Sequence, residues 1–128
     1  MVRIGSAVLA ALVMLVAAPA LAQTGMGLIG QRVVEGADRD TIPARGGEPY
    51  REIMFCVEDA PVAFQEVVVR YRSGASQNIR LRQRIAAGRC SRVVGLSGRD
   101  RDIQAVDFTY APAAAGGGAR PTVQLYAR

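Results

Sequence analysis

Between residues 64 and 110, apolar and polar residues alternate with a period of two, and clusters of Gly and Ser break the run into pieces. That pattern constrains the chain more than any other, because it suits short half-buried β-strands joined by turns. Residues 64–72 place Val67, Val69 and Tyr71 on one face, and residues 77–85 do the same with Ile79, Leu81 and Ile85. Residues 91–96 form a short apolar piece. Residues 102–110 point Val106, Phe108 and Tyr110 inward. Phe64-Gln65-x-Val67-x-Val69-x-Tyr71 and Ile103-Gln104-x-Val106-x-Phe108-x-Tyr110 look alike, as two strands with one burial pattern do without any duplication.

The flanks continue the theme. Strands are expected at 27–34, 41–43, 50–57 and 121–127, with a turn at 35–40 and loops at 44–49 and 111–120. In 50–57, Ile53, Phe55 and Val57 point one way while Met54 and Cys56 point the other, so both faces are apolar and the strand is interior. After residue 22, no segment holds a 3.6-residue apolar period for ten residues. The fold class is all-β: a single small antiparallel β-sandwich of about eight short strands, spanning 23–128.

Residues 1–22 stand apart. Arg3 precedes an apolar run from Ile4 to Ala18, and Pro19-Ala20-Leu21-Ala22 supplies a helix breaker and a small-residue site. These are the marks of a secretory signal peptide cleaved before Gln23, and they predict a periplasmic or secreted protein. The mature chain then carries 15 Arg against 11 acidic residues, a net charge of +4, with neither Lys nor His. Such an excess permits an acidic partner without requiring one. Cys56 and Cys90 are the only cysteines, and in an exported chain they are expected to form one disulfide.

The order of short motifs resembles a family of short exported bacterial proteins that carry a domain of unknown function. The matching pieces are Leu28-x-Gly30, Asp38-Arg39-Asp40-x-Ile42, Ile53 with Val57, Val69-x-Tyr71-x-x-Gly74 and Ala87-Gly88. Leu96-x-Gly98-x-x-Arg101-x-Ile103-x-x-Val106-x-x-x-Tyr110 is the most specific, and Val123-x-Leu125-Tyr126 follows at the end. Members often have a Trp ahead of the first Leu-x-Gly, where this chain has Met26-Gly27. The resemblance implies an all-β exported domain and brings no activity with it.

The chemistry open to the chain is narrow. Without His or Lys it has no Ser–His, Cys–His or Ser–Lys pair, no Schiff-base lysine and no His-ligated metal. Carboxylates, Tyr, Ser and Arg remain. The pairs Asp38/Asp40 and Asp100/Asp102 fit a calcium site or an acid/base pair in outline, but fit better as turn residues with Arg39 and Arg101 pairing locally. Gly116-Gly117-Gly118 lacks the Lys-Ser/Thr tail of a phosphate loop.

The candidate binding surface is a set of arginines. Arg70, Arg72, Arg80, Arg82 and Arg84 fall on the even, polar faces of two neighbouring strands, and their crowding favours a polyanion. The expected function is a non-enzymatic cell-envelope binding domain whose partner is an acidic envelope polymer or another protein. No catalytic residue, metal, cofactor, specific nucleic acid or mature transmembrane span is expected. The alternative is a small carboxylate-dependent glycan hydrolase.

Overall fold

Inward-pointing aliphatic and aromatic residues from two antiparallel sheets meet face to face in a computed structural model that describes residues 25–36, 38–99, 101–111 and 119–128. The expected signal peptide, Asp100 and the Gly116–Gly118 run lie outside the described residues.

Eleven strands are described: β1 (Gly27–Val33), β2 (Arg39–Pro43), β3 (Pro49–Tyr50), β4 (Glu52–Glu58), β5 (Val62–Tyr71), β6 (Ser76–Ile79), β7 (Arg84–Ile85), β8 (Arg89–Cys90), β9 (Val94–Gly95), β10 (Arg101–Tyr110) and β11 (Thr122–Ala127). There is no helix among the described residues. The first sheet runs β1-β11-β4, with β8 and β9 sharing the outer edge of β4. The second runs β2-β10-β5, with β6 and β7 on the far edge of β5 and β3 on the start of β10. The two look-alike stretches in the sequence are β5 and β10, and they pair with each other.

The core lies between the sheets. Ile53, Phe55, Val57, Val123 and Leu125 face Ile42, Val67, Val69, Val106 and Phe108, all essentially inaccessible to water. Phe55, Phe64, Phe108 and Tyr110 form a chain of tilted rings, with successive centroids 5.3, 5.5 and 5.7 Å apart. Tilted contacts at this spacing add to the burial energy of the rings.

Eleven strands replace the expected eight for local reasons. Residues 77–85 split into β6 and β7 because Arg82 takes a left-handed backbone, φ +39°. The strand expected over 91–96 shortens to β9, with β8 just before it, because the Ser91 hydroxyl accepts the Phe55 N–H at 3.0 Å and a side chain interrupts the ladder on β4. The turn expected over 35–40 ends early. Asp40 belongs to β2 and points into the protein.

Both sheet edges are stitched together, which protects them from adding another strand. On one side Arg45 N–H donates to Ile29 O at 2.9 Å, where β1 meets the end of β2. Gly30 permits that approach, since a Cβ there would lie 2.6 Å from both Ile42 Cγ2 and Pro43 O. On the other side the Arg92 guanidinium donates to Leu81 O at 2.9 Å and Arg80 O at 3.2 Å, and Ser97 N–H donates to Gln77 Oε1 at 2.7 Å. Cys56 and Cys90 sit directly opposite each other on β4 and β8, with Cα atoms 4.0 Å apart, and are disulfide-bonded. Met26, Met54 and Tyr126 pack around Cys56 on the outer face of the first sheet.

Candidate functional site

Two backbone irregularities fall at the same level of the second sheet. Along the β5–β10 pairing, Phe108 faces Val67 but Tyr110 faces Phe64, so β5 carries one extra residue at Gln65-Glu66. The inward positions of β5 accordingly change from Val62 and Phe64 to Val67, Val69 and Tyr71. The Thr109 hydroxyl fills the gap, accepting the Glu66 N–H at 3.1 Å. On the other edge of β5, Val67 faces Ile79 and Val62 faces Ile85, so an extra residue lies on the β6–β7 side as well. That residue is Arg82, whose N–H donates to Gln65 O at 3.0 Å, while Phe64 N–H donates to Gln83 O at 3.0 Å. Bulges bend a strand and sharpen its twist, and a groove lies over these two.

The groove has a volume of about 840 Å³. Asp38 and Arg39 border it at the start of β2, and Thr109 comes from β10. Gln65 and Glu66 come from the bulge in β5, and Arg82, Gln83 and Arg84 from the opposite side. Arg39, Arg82 and Arg84 are solvent-exposed, and among the described residues none of the three forms an ion pair.

The five arginines of the expected surface therefore divide. Arg82 and Arg84 line the groove. Arg70 pairs with Asp107 of β10, Nε to Oδ2 at 2.9 Å and Nη2 to Oδ1 at 3.2 Å, and the Thr41 hydroxyl also donates to Oδ1. Arg72 pairs with Asp102 at 3.2 Å. Arg80 is exposed and outside the groove lining. Arg39 joins the groove although the sequence reading gave it to its neighbouring aspartates. The signal lay in the alternation: with Ile42 inward, Thr41 and Arg39 face out.

Asp38 and Asp40 do not act as a pair, and Asp100 of the other pair lies outside the described residues. Asp38 is exposed at the groove rim, whereas Asp40 is 7% exposed and accepts the Tyr110 hydroxyl at 2.7 Å, with Arg32 Nε at 3.4 Å. Asp102 also accepts Gly47 N–H at 3.4 Å. Arg101 donates to Ser97 O at 2.8 Å and stacks over Tyr71, with Cζ 4.7 Å from the ring centroid.

Tyr110 and Asp40 join β10 to β2 beside the groove. Burial, reinforced by the hydrogen bond to Asp40 and its charge, pushes the Tyr110 hydroxyl far above its ordinary value of 10.0. Burial is also the largest cause of the upward shifts at Tyr50, Tyr71 and Tyr126. Unfolded tyrosines release protons near pH 10 while the folded ones retain them, so the unfolded state then binds fewer protons and stability falls as pH rises. The stabilisation is fully present below about pH 10 and is lost through the folded-state values above it. An alkaline titration followed by tyrosinate absorbance and circular dichroism should show ionisation together with loss of the β signal. Tyr110→Phe should make the alkaline loss shallower. Four tyrosines ionising near pH 10 with the fold intact would contradict this.

A family model described as a domain of unknown function, DUF2541, matches residues 7–127. The chain belongs to the DUF2541 family. In this DUF2541 chain the motif pieces fall largely at structural points: Gly30 at the sheet junction, Asp40 and Tyr110 in one hydrogen bond, Arg101 over Tyr71. Asp38 and Arg39 are the motif residues that also line the groove. Among solved structures, one of Pseudomonas aeruginosa AlgX is similar over 79% of the DUF2541 chain, at 16% identity and a TM-score of 0.49. The match takes in 25% of that chain, so the DUF2541 chain spans about a quarter of its length. No curated protein matches the sequence.

Proposed function

We propose that the chain is an exported, non-enzymatic binding domain that holds an acidic polymer of the cell envelope in the groove on its second sheet. One observation carries the reading: Arg39, Arg82 and Arg84 converge on a single groove and none has an acidic partner among the described residues. Three guanidinium groups against the carboxylates of Asp38 and Glu66 leave the groove net positive, which an anionic ligand offsets. Arg70 and Arg72, by contrast, already have Asp107 and Asp102. The Cys56–Cys90 bond supports an oxidising, extracytoplasmic location, in keeping with the leader-like start of the sequence.

A second reading, glycan hydrolysis, draws on Asp38 and Glu66 lining the same groove. Both are solvent-exposed, whereas a glycosidase acid works from an enclosed apolar setting. New reducing ends released from a glycan bound by the protein would support hydrolysis over binding.

The test of the binding reading is retention on an anionic polysaccharide matrix near physiological ionic strength. Wild-type protein should be retained and should elute with added salt. Changing Arg39, Arg82 and Arg84 together to Gln should abolish retention while the β circular dichroism signal stays. Changing Arg70 and Arg72 to Gln should leave retention largely in place. Unchanged retention in the triple variant would remove the groove from consideration.

A further inference from the structure

The groove is not uniformly basic. Asp38 and Glu66 lie among its three arginines, and Gln65 and Gln83 add neutral amides. Glu66 is in place because of the bulge: its N–H donates to Thr109 Oγ1 at 3.1 Å, and the same hydroxyl lies 3.4 Å from its carbonyl. A wall of this composition meets two kinds of ligand group. Guanidinium groups take anionic oxygens in pairs, while carboxylates and amide oxygens accept only from donors such as hydroxyl groups. At about 840 Å³ the groove is also far larger than one small anion needs.

We infer that the groove selects a hydroxyl-bearing acidic glycan over a polyphosphate, and that Asp38 and Glu66 make the distinction. The inference rests on the anion-binding reading above. A glycan with a carboxylate on its sugar units offers one anionic group per ring for the arginines and free hydroxyls for Asp38 and Glu66. A polyphosphate brings no hydroxyl donors, so its anionic oxygens are repelled wherever they approach either carboxylate. A lipid headgroup is also a poorer match, because Phe64, the large apolar lining residue, is buried beneath the groove rather than exposed in it.

The experiment compares fluorescent oligogalacturonate with fluorescent inorganic polyphosphate of equal net charge, in equilibrium binding to the mature protein at one salt concentration. Wild-type protein should bind the oligogalacturonate more tightly. The variant Asp38→Asn/Glu66→Gln should bind polyphosphate about three- to tenfold more tightly than wild type, the size expected when two like-charge contacts are removed. Its preference for the glycan should shrink accordingly. Polyphosphate binding as tightly as the glycan in wild type would overturn this inference while leaving an anion-binding groove. A preference unchanged in the double variant would overturn the role of Asp38 and Glu66. Binding of neither probe would overturn both this inference and the reading on which it rests.

Discussion

Replacing Cys56 and Cys90 together by Ala should lower the melting temperature by roughly 15–25 °C, taking ~3–4 kcal/mol for the closed loop and ~4–8 °C per kcal/mol for a domain of this size. The effect is large because the bond closes a loop of sequence separation 34 and anchors a very short strand. β8 has two residues, both exposed, and pairs with β4 at Cys56–Cys90 and Val57–Arg89, flanked by Gly88 N–H to Val57 O at 2.7 Å and Ser91 N–H to Phe55 O at 2.6 Å. The consequence reaches the groove, because the segment after Cys90 carries Arg92, whose guanidinium holds the carbonyls of Arg80 and Leu81 just ahead of Arg82. Thermal melts of the double variant, and of wild-type protein with and without reductant, give the measurement. A shift of no more than a degree or two would show that β8 is held by something other than the bond.

What the sequence made legible was the part governed by the period of two. Val67, Val69 and Tyr71, Val106, Phe108 and Tyr110, and Val123 and Leu125 all face the core as their alternation requires. β4 is interior because both of its faces are apolar. Alternation stops being informative where an extra residue enters a strand, since one insertion reverses the face of everything beyond it. Phe64 and Val67 are both buried although they differ in parity, and no residue type at Gln65 or Glu66 announces the change. Arg82 was harder still, because a left-handed backbone is normally announced by Gly, Asn or Asp. The five-arginine surface was drawn on two uninterrupted strands, and it divides because Asp102 and Asp107 arrive from β10, a strand whose neighbours the sequence does not specify. Asp40 went unread as a buried residue because its partner, Tyr110, lies 70 positions away.

Arg82 is where fold and proposed function make opposite demands. Among the described residues, two non-glycine residues have positive φ: Asp59, of a type that tolerates it, and Arg82, of a type that rarely does. A left-handed backbone costs an L-residue about 1–2 kcal/mol, while glycine gives up roughly 0.5–1 kcal/mol in chain entropy. Arg82→Gly should therefore be neutral or slightly stabilising. It also removes one of the three guanidinium groups of the groove. A charged hydrogen-bonding contact is worth ~1.5–3 kcal/mol, so affinity for an acidic glycan should fall at least about tenfold.

The most direct test is to measure the melting temperature and the oligogalacturonate affinity of wild-type and Arg82→Gly protein side by side. The account predicts an equal or higher melting temperature together with that loss of affinity. A lower melting temperature with unchanged affinity would mean that Arg82 holds its conformation for the sake of the fold, and the groove would lose its claim to be the binding site.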